Sequence, residues 1–373
     1  MQIEEIEILI NKSDADAGFK AISERIIAGE RINEQEGIYL YEHGELALLG
    51  SLATFIKEKK HGKKAFFIHN FHIEPTNICI YNCRFCSYSH HQSGTSWEFE
   101  RQEMVEKAKA APSEMRELHI TGGVHPKHGL DYYAGLLKMI HEARPELHLK
   151  AYSAIELDFM FEKSGVSLEE GFKILKENGL DSIPGGGAEI FDEDVRKLIC
   201  DDKAFGQRWL EIHEAAHKLG IGSNATMLYG HIENYAHRIG HLELLRQLQD
   251  RTGGFNTFIP LKFKNKNNEM SYLTEVSSIE DMKNYAVSRI YLDNFPHVKA
   301  YWPMIGQQMS QLALSFGVDD LDGTINNSTQ IYSLAGADDK NPAISLDGLL
   351  KLIRDAGCTP VERDSWYNIL KEF

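Results

Sequence analysis

Two hydrophobic patterns alternate along the middle of the chain, from about residue 65 to residue 324. Short apolar, β-branched or aromatic runs bounded by glycine and proline predict strands: AFFIHNFHIEPTN, LHIT, LHLKAYSAI, LDSIP, IGSNATMLYG, FNTFIP and VKAYWP. Apolar residues between these runs recur at helical spacing, as in the stripe of Leu130, Tyr133, Leu137 and Ile140. About seven strand–helix repeats predict an α/β fold, a parallel (β/α) barrel of the TIM type. An open doubly wound sheet is the alternative, but no G-x-G-x-x-G turn follows the first strand.

The segments on either side of the predicted barrel follow other patterns. Residues 1 to about 65 keep apolar groups near helical spacing, which predicts an N-terminal helical segment. After residue 324 the pattern becomes irregular up to residue 344, and a helix is predicted over residues 345–356. We therefore expect three regions: a helical extension at 1–65, the barrel at 66–324, and a C-terminal layer at 325–373 that packs on the barrel as a lid.

Composition limits the classes of partner and the cellular compartment that we expect for this protein. The chain has 373 residues and a formal net charge of −15, which disfavours nucleic acid and anionic membranes as partners. The N-terminus MQIEEIEILI lacks the cationic start of a secretory signal, and the apolar run around residues 46–56 is too short to span a bilayer. Five cysteines, three of them clustered, indicate a reducing compartment rather than a disulfide framework. These features predict a cytoplasmic protein.

The stretch CIYNCRFC carries Cys79, Cys83 and Cys86 in the spacing C-x3-C-x2-C. Three thiolates so close in sequence can hold three irons of a [4Fe–4S] cube and leave the fourth iron open to a small chelating molecule. This spacing resembles that of the radical S-adenosylmethionine (radical SAM) enzymes. The alternatives are a zinc site completed by His90 or His91, and three structural cysteines.

Glycine-rich and polar segments follow the predicted strands, at the end of a parallel barrel where active sites lie. Phe85 and Tyr88 flank the third cysteine, and the pair Gly122 and Gly123 allows the backbone to approach a ligand closely. A plain turn is the alternative for the glycines, and loop packing is the alternative for the aromatic residues. The predicted cofactor-binding residues are Phe85, Tyr88, Gly122, Gly123, Ser153, Glu156, Gly186, Asn224 and Thr226.

Two histidines and one carboxylate are candidates for the chemistry. His125 follows the glycine pair, His231 lies after the strand SNATMLYG, and Glu156 follows the third strand. A carboxylate accepts hydrogen bonds from two ribose hydroxyls, and a histidine transfers protons near neutral pH. Structural roles are equally open: a capped turn for His125, a satisfied histidine for His231, and a helix-start acid for Glu156.

Seven stretches together resemble the aminofutalosine synthase family, radical SAM enzymes of the futalosine route to menaquinone. They are HIEPTNICIYNCRFCSYSHH, TGGVHP, KAYSAIE, PGGGAEIF, NATMLYGHIE, TGGFNTFIPL and DDLDGT. The resemblance runs from about Phe71 to the PVERD stretch at residues 360–364. Dehypoxanthine futalosine cyclases and deazaflavin (F0) synthase subunits share this architecture, and TGGVHP and MLYGHIE favour the synthase among them.

The resemblance implies a transferase with a [4Fe–4S] cluster on the three cysteines and SAM on its open iron, consumed as a co-substrate. In radical SAM enzymes a glycine-rich turn after the second strand binds the amino group of SAM, which implies that role for Gly122 and Gly123. The implied substrate is 3-[(1-carboxyvinyl)oxy]benzoate, to which the 5′-deoxyadenosyl radical adds, giving 6-amino-6-deoxyfutalosine, L-methionine and bicarbonate. A flavodoxin or ferredoxin would supply the electron. The alternative is a hydrogen-abstracting enzyme of the cyclase or F0 synthase type.

Overall fold

Strands and helices alternate through the middle of the chain, as the hydrophobic pattern predicts. The computed structural model describes residues 2–203, 205–324, 328–337 and 342–373. Its strands are β1 Lys64–Ile68, β2 Asn70–Ile73, β3 Glu117–Ile120, β4 His148–Ala151, β5 Ser182–Ile183, β6 Gly222–Tyr229, β7 Phe255–Lys262, β8 His297–Val298, β9 Asp320–Gly323, β10 Thr359–Arg363 and β11 Ile369–Glu372. Its helices are α1 Ile3–Lys12, α2 Ala17–Ala28, α3 Glu34–His43, α4 Leu46–His61, α5 His90–Ser93, α6 Arg101–Ala110, α7 Leu130–Ala143, α8 Ala154–Ser164, α9 Leu168–Glu177, α10 Glu193–Cys200, α11 Gly206–Lys218, α12 Tyr235–Thr252, α13 Ser278–Tyr291, α14 Trp302–Ile305, α15 Gln307–Ala313, α16 Ile331–Leu334 and α17 Leu346–Asp355.

The strands β2 to β8 form one parallel sheet in chain order. The strand β9 closes the ring, because it pairs with β1 on one side (Phe66 opposite Asp320) and with the end of β8 on the other. There the backbone N–H of Ala300 donates to the carbonyl oxygen of Asp320 at 2.9 Å. Only His69 separates β1 from β2, so the two strands act as one continuous wall of the ring. The predicted TIM-type barrel is confirmed.

The helices cover the outside of the barrel with the apolar faces that the sequence predicts. In α7 the stripe of Leu130, Tyr133, Leu137 and Ile140 is buried against the sheet. Burying such side chains contributes roughly 1.5–3 kcal/mol each, which is what holds a helix of ordinary propensity in place. No helix in the described ranges combines the length and apolar composition that crossing a membrane requires.

The first four helices form a layer on the outer helices of the barrel. The helix α3 packs on α12, and α4 packs on α13. Two buried polar contacts fix this layer: the hydroxyl of Tyr41 donates to Asn284 Oδ1 at 2.6 Å, and Lys57 Nζ donates to the carbonyl of Leu314 at 2.8 Å. The N-terminal helices are thus tied to the barrel by hydrogen bonds as well as by apolar packing.

The C-terminal layer divides between the two ends of the barrel. At the mouth, where the strands end, Thr329 Oγ1 donates to the Glu74 carboxylate at 2.7 Å. The last strands lie at the opposite end, because β10 pairs with β1, the part of the first barrel strand that precedes His69. Trp366 packs there on His148, the first residue of β4, with 4.8 Å between ring centroids. Both described parts of the C-terminal layer thus pack on the barrel: residues 328–337 cover the mouth, and residues 359–373 lie at the far end.

Candidate active site

A cavity opens at the carboxyl ends of the strands and reaches down into the barrel. Its empty volume, open mouth included, is about 1420 Å³. The cysteines and most of the predicted cofactor-binding residues line it, namely Cys79, Cys83, Cys86, Phe85, Tyr88, Gly122, Gly123, Ser153, Gly186, Asn224 and Thr226.

Hydrogen bonds hold Cys79 in its loop: two histidine side chains bond its backbone, and the loop after β3 bonds its sulfur. The backbone N–H of Cys79 donates to His90 Nδ1 at 3.2 Å, and His91 Nε2 donates to the carbonyl of Cys79 at 2.9 Å. The backbone N–H of Val124 donates to Cys79 Sγ at 3.4 Å. The two histidines considered as zinc ligands are therefore occupied with the backbone of Cys79.

The spacing of the three thiols fits a cluster rather than one metal ion. Their sulfur atoms do not form a group within 4.8 Å of one another in the described part of the chain. Thiolates on one tetrahedral zinc lie about 3.8 Å apart, whereas a [4Fe–4S] cube places each sulfur on its own iron. Burial raises the pKa of the Cys83 thiol, and the nearby Lys203 ammonium opposes that shift. The residues present therefore fit three corners of a [4Fe–4S] cluster.

The glycine turn after β3 packs directly on the cysteine loop. A Cβ on Gly122 would lie 2.8 Å from the carbonyl oxygen of Thr76, and one on Gly123 would overlap the carbonyl of Ile78. The Gly123 N–H also donates to the Thr76 carbonyl at 2.7 Å. The close approach that the sequence predicts for these glycines is thus made to the cysteine loop, while the same glycines line the cavity.

Glu156 lies behind the cavity wall and holds the wall in place. Its carboxylate accepts four hydrogen bonds: from the Ser153 hydroxyl at 2.6 Å, the Ser153 N–H at 2.7 Å, the Thr121 hydroxyl at 2.9 Å and the Gly122 N–H at 3.2 Å. Burial raises the pKa of Glu156, and these hydrogen bonds oppose that rise. Glu156 joins the start of α8 to the glycine turn, and its predicted contact with a ribose stays a prediction.

The two candidate catalytic histidines lie outside the residues that line the cavity. His125 accepts a hydrogen bond from the Lys127 N–H at 3.2 Å, which caps its own turn, and its Nε2 lies 3.4 Å from a Glu98 oxygen. His231 has Nδ1 3.3 Å from a Glu233 oxygen and Nε2 3.1 Å from the Leu228 carbonyl. Both histidines therefore have the structural partners that the sequence left open as alternatives.

The floor of the cavity carries polar residues that the sequence motifs do not reveal. Lys150 Nζ lies 2.6 Å from Glu117 Oε2, and Lys299 Nζ lies 2.6 Å from Asp322 Oδ1. The rings of His72 and His119, which lie on neighbouring strands, have centroids 4.7 Å apart. We define the floor as His72, Glu117, His119, Lys150, Lys299 and Asp322. Charged residues inside predicted strands were the available signal, because a barrel interior admits them only with partners or a ligand.

Lys203, close to the cysteines, is another cavity residue that the sequence motifs do not indicate. Its ammonium lies 2.7 Å from Glu189 Oε1 and 5.2 Å from the centroid of the Phe85 ring. It lines the cavity together with Glu189. A cation here stands close to the thiols that would carry the negative charge of the cluster.

Comparisons with known proteins agree with this geometry. Residues 73–245 match the Radical SAM superfamily, and residues 252–372 match the CofH/MqnC C-terminal region. The solved structure of methylornithine synthase (PylB) has the same fold, with a TM-score of 0.72 at 15% identity over 91% of this chain and 97% of that one. The barrel, the three-cysteine loop and the superfamily match define a radical SAM enzyme, a class that uses a [4Fe–4S] cluster and SAM.

Similarity to three curated relatives shows which family within this superfamily the chain belongs to. The aminodeoxyfutalosine synthase of Thermus thermophilus is 40% identical over 93% of this chain and 94% of its own, and that of Streptomyces coelicolor is 40% identical over 96% of both. The cyclic dehypoxanthine futalosine synthase of Streptomyces coelicolor is 34% identical over 95% of this chain and 89% of its own. The chain belongs to the aminodeoxyfutalosine synthase family. The family resemblance predicted from the motifs is confirmed.

Proposed function

We propose that this protein joins the 5′-deoxyadenosyl group of SAM to 3-[(1-carboxyvinyl)oxy]benzoate, giving 6-amino-6-deoxyfutalosine, L-methionine and bicarbonate. The observation that carries the proposal is a cavity with two levels. Its mouth has the cysteines and glycines suited to the cluster and SAM, and its floor has imidazoles and ammonium groups suited to a carboxylated substrate. The higher identity to the two synthases than to the cyclic dehypoxanthine futalosine synthase supports the choice of reaction.

The protein's own residues position the reactants and keep water away. The bound cluster and SAM supply a carbon radical, which must meet its target before it meets solvent or a side chain. Ile259 and Leu261 form an apolar wall of the cavity, and Tyr301 and Tyr332 close it with their rings 5.4 Å apart. Tyr332 belongs to the lid segment, and the lid is fastened to the barrel by the hydrogen bond between Thr329 and Glu74. A lid fastened in this way would restrict the access of water to the reacting atoms.

The electron donor is proposed to be a flavodoxin or a ferredoxin. Such a protein must bring its redox group near the cluster, so part of the cysteine loop has to face outward. Ile80, between the first two cysteines, is an exposed apolar side chain. Cys79 and Cys86 are half-buried, whereas Cys83 is buried. This outward face of the loop supports the approach of a protein donor.

Product analysis tests the proposed reaction. The enzyme is reconstituted anaerobically with iron and sulfide and supplied with reductant, SAM and the proposed substrate. We expect one 6-amino-6-deoxyfutalosine for each methionine released. Free 5′-deoxyadenosine as the main product with a consumed substrate would replace the proposal by a hydrogen-abstracting reaction. That alternative is favoured by the match to the CofH/MqnC C-terminal region.

A further inference from the structure

Two histidines at the floor of the cavity have unused hydrogen-bonding capacity. The Nε2 atoms of His72 and His119 are buried and find no hydrogen-bond partner among the described residues. Both residues line the cavity. His213 also has a buried Nε2 without a partner, but it lies behind β6 against Trp209, away from the cavity. Leaving a buried polar atom unpaired is costly, so a pair of such rings facing one cavity indicates a binding site.

The charges around these rings are balanced. Both histidines interact electrostatically with Glu117, Lys150 and Asp322, and His72 also interacts with Lys299. Each ammonium is bonded to one of the two carboxylates, which leaves N–H donors unused, because an ammonium has three. The two acids are thus occupied by the lysines and do not oppose a further anion as free carboxylates would.

The imidazoles are neutral at working pH and present N–H groups without a charge. Burial lowers the pKa of His72 to about 4 and lowers the pKa of His119 as well. A neutral imidazole offers one N–H donor and one acceptor nitrogen. The floor therefore combines two uncharged donors with the spare donors of two ammonium groups, an arrangement that suits a carboxylate.

We propose that His72 and His119, backed by Lys150 and Lys299, bind the ring carboxylate of the substrate. This inference rests on the proposed function, which supplies a molecule with one carboxylate on its benzoate ring and another on its vinyl group. The vinyl carbons must lie at the mouth, beside the cysteine loop, which contacts Val124 beyond the end of β3. His119 lies within β3, and strands rise about 3.3 Å per residue, so the floor is the level that the far end of the substrate reaches.

The walls between mouth and floor suit an aromatic ring. Ile259 and Leu261 supply apolar surface, and the ring of Tyr301 lies 6.3 Å from that of His72. A benzoate ring placed against these side chains directs its carboxylate to the two imidazoles. The same placement leaves the vinyl carboxylate nearer the mouth.

Binding without turnover tests this assignment. The cluster-loaded protein is saturated with SAM, kept free of reductant, and titrated calorimetrically with the substrate and with its ring carboxamide, 3-[(1-carboxyvinyl)oxy]benzamide. We expect the wild-type protein to prefer the carboxylate by about tenfold or more, because hydrogen bonds to a charged group are lost in the amide. His72→Phe and His119→Phe keep a ring and remove its nitrogens, so most of the preference disappears. His72→Gln and His119→Gln retain an N–H donor and recover part of it.

Three controls separate this inference from the function on which it rests. His213→Phe removes an equally buried unpaired nitrogen outside the cavity and leaves the preference unchanged. Full preference in both Phe variants overturns the inference and leaves the function standing, whereas no binding of the substrate by the wild-type protein removes both. Nitrogen NMR of the wild-type protein needs no variant that might misfold: the imidazole signals of His72 and His119 shift with the substrate and not with the carboxamide. Equal shifts with both ligands overturn the inference.

Discussion

The mouth and the floor of the cavity are held together by different interactions. At the mouth, backbone N–H groups of the glycine turn donate to the cysteine loop: Val124 N–H donates to Cys79 Sγ, and Gly123 N–H donates to the Thr76 carbonyl. At the floor, buried side chains of opposite charge meet, as Lys150 meets Glu117 at 2.6 Å. Backbone contacts restrict which residue fits at one position, whereas ion pairs restrict two positions together. The two levels should therefore respond differently to substitution.

Loss of a cysteine is expected to have the largest effect, and only at the mouth. Replacing Cys79, Cys83 or Cys86 by Ala removes one of three thiolates that fit the cluster, so SAM cleavage falls to background. Thermal unfolding of the barrel changes much less, because each substitution removes only one sulfur atom from the packing. Iron content and methionine release measure the effect. Normal turnover in all three variants would refute the cluster assignment, and Cys358→Ala, far from the cavity residues, is the matched control.

Breaking one ion pair is expected to cost stability at the floor. Lys150→Met leaves the Glu117 carboxylate buried without its partner, which destabilises a protein by roughly 3–5 kcal/mol. Urea unfolding measures the loss, and the double change of Lys150→Met with Glu117→Leu should restore most of it. Lys173→Met breaks the exposed pair with Glu169 and should leave unfolding unaltered. Equal stability of Lys150→Met and the wild type would mean that the pair is not buried as described.

Lowering the pH is expected to lower the free energy of unfolding through the buried histidines of the floor. His72 has a folded pKa of about 4 against 6.5 for an ordinary histidine, because burial disfavours the charged ring. Between these two pH values the unfolded chain binds a proton that the folded chain does not, so stability is present above pH 6.5 and is lost as the pH falls. The loss reaches about 3 kcal/mol near pH 4. His72→Phe should lessen the fall in urea midpoint between pH 6.5 and 4, and an unchanged slope would count against the shift.

A small branched side chain at the mouth is expected to have the smallest effect of the four. Gly123→Val places a Cβ against the carbonyl of Ile78 and pushes the cysteine loop away. We expect SAM affinity to fall by about tenfold, because the loop and the turn both line the SAM side of the cavity. Gly240→Val, on α12 with no atom within 4 Å of its Cβ, is the control. Equal SAM affinity in the two variants would remove the role of the turn.

The sequence predicts the mouth well because its signals are local. Cys79, Cys83 and Cys86 lie on one loop, and the glycine pair lies directly after a strand, so position along the chain already gives position in space. Gly186, Asn224 and the other residues predicted for the cofactor, except Glu156, line the cavity for the same reason, since strand ends of a parallel barrel meet at one edge.

The floor is harder to predict from the sequence, because its charged residues pair between neighbouring strands that are far apart in the chain. Lys150 looks like a misplaced charge within LHLKA until Glu117, on the neighbouring strand, is known to face it. His125 and His231 differ from the floor residues, because both lie beside strong motifs and their rings contact Glu98 and Glu233 in the structure; their catalytic roles stay predictions. Adjacency in sequence does not determine the direction of a side chain in a turn.

The end of the barrel on which each part of the C-terminal layer packs could not be predicted from the sequence. A layer after the last barrel strand can reach either end of the barrel. Strand pairing determines which end it reaches, because β10 pairs with β1, the part of the first strand that precedes His69 and lies away from the mouth. No hydrophobic pattern in TPVER reveals which neighbour that strand chooses.

The shared first strand has a consequence for biogenesis. Phe66 leaves the ribosome early, but its neighbours Asp320 and Val361 are synthesised near the end of the chain. Until Asp320 has been synthesised, the sheet keeps two free edges, at β1 and at β8, and the ring cannot close. Closure of the barrel is therefore a late event in folding, because the strand that joins its two edges lies near the end of the chain.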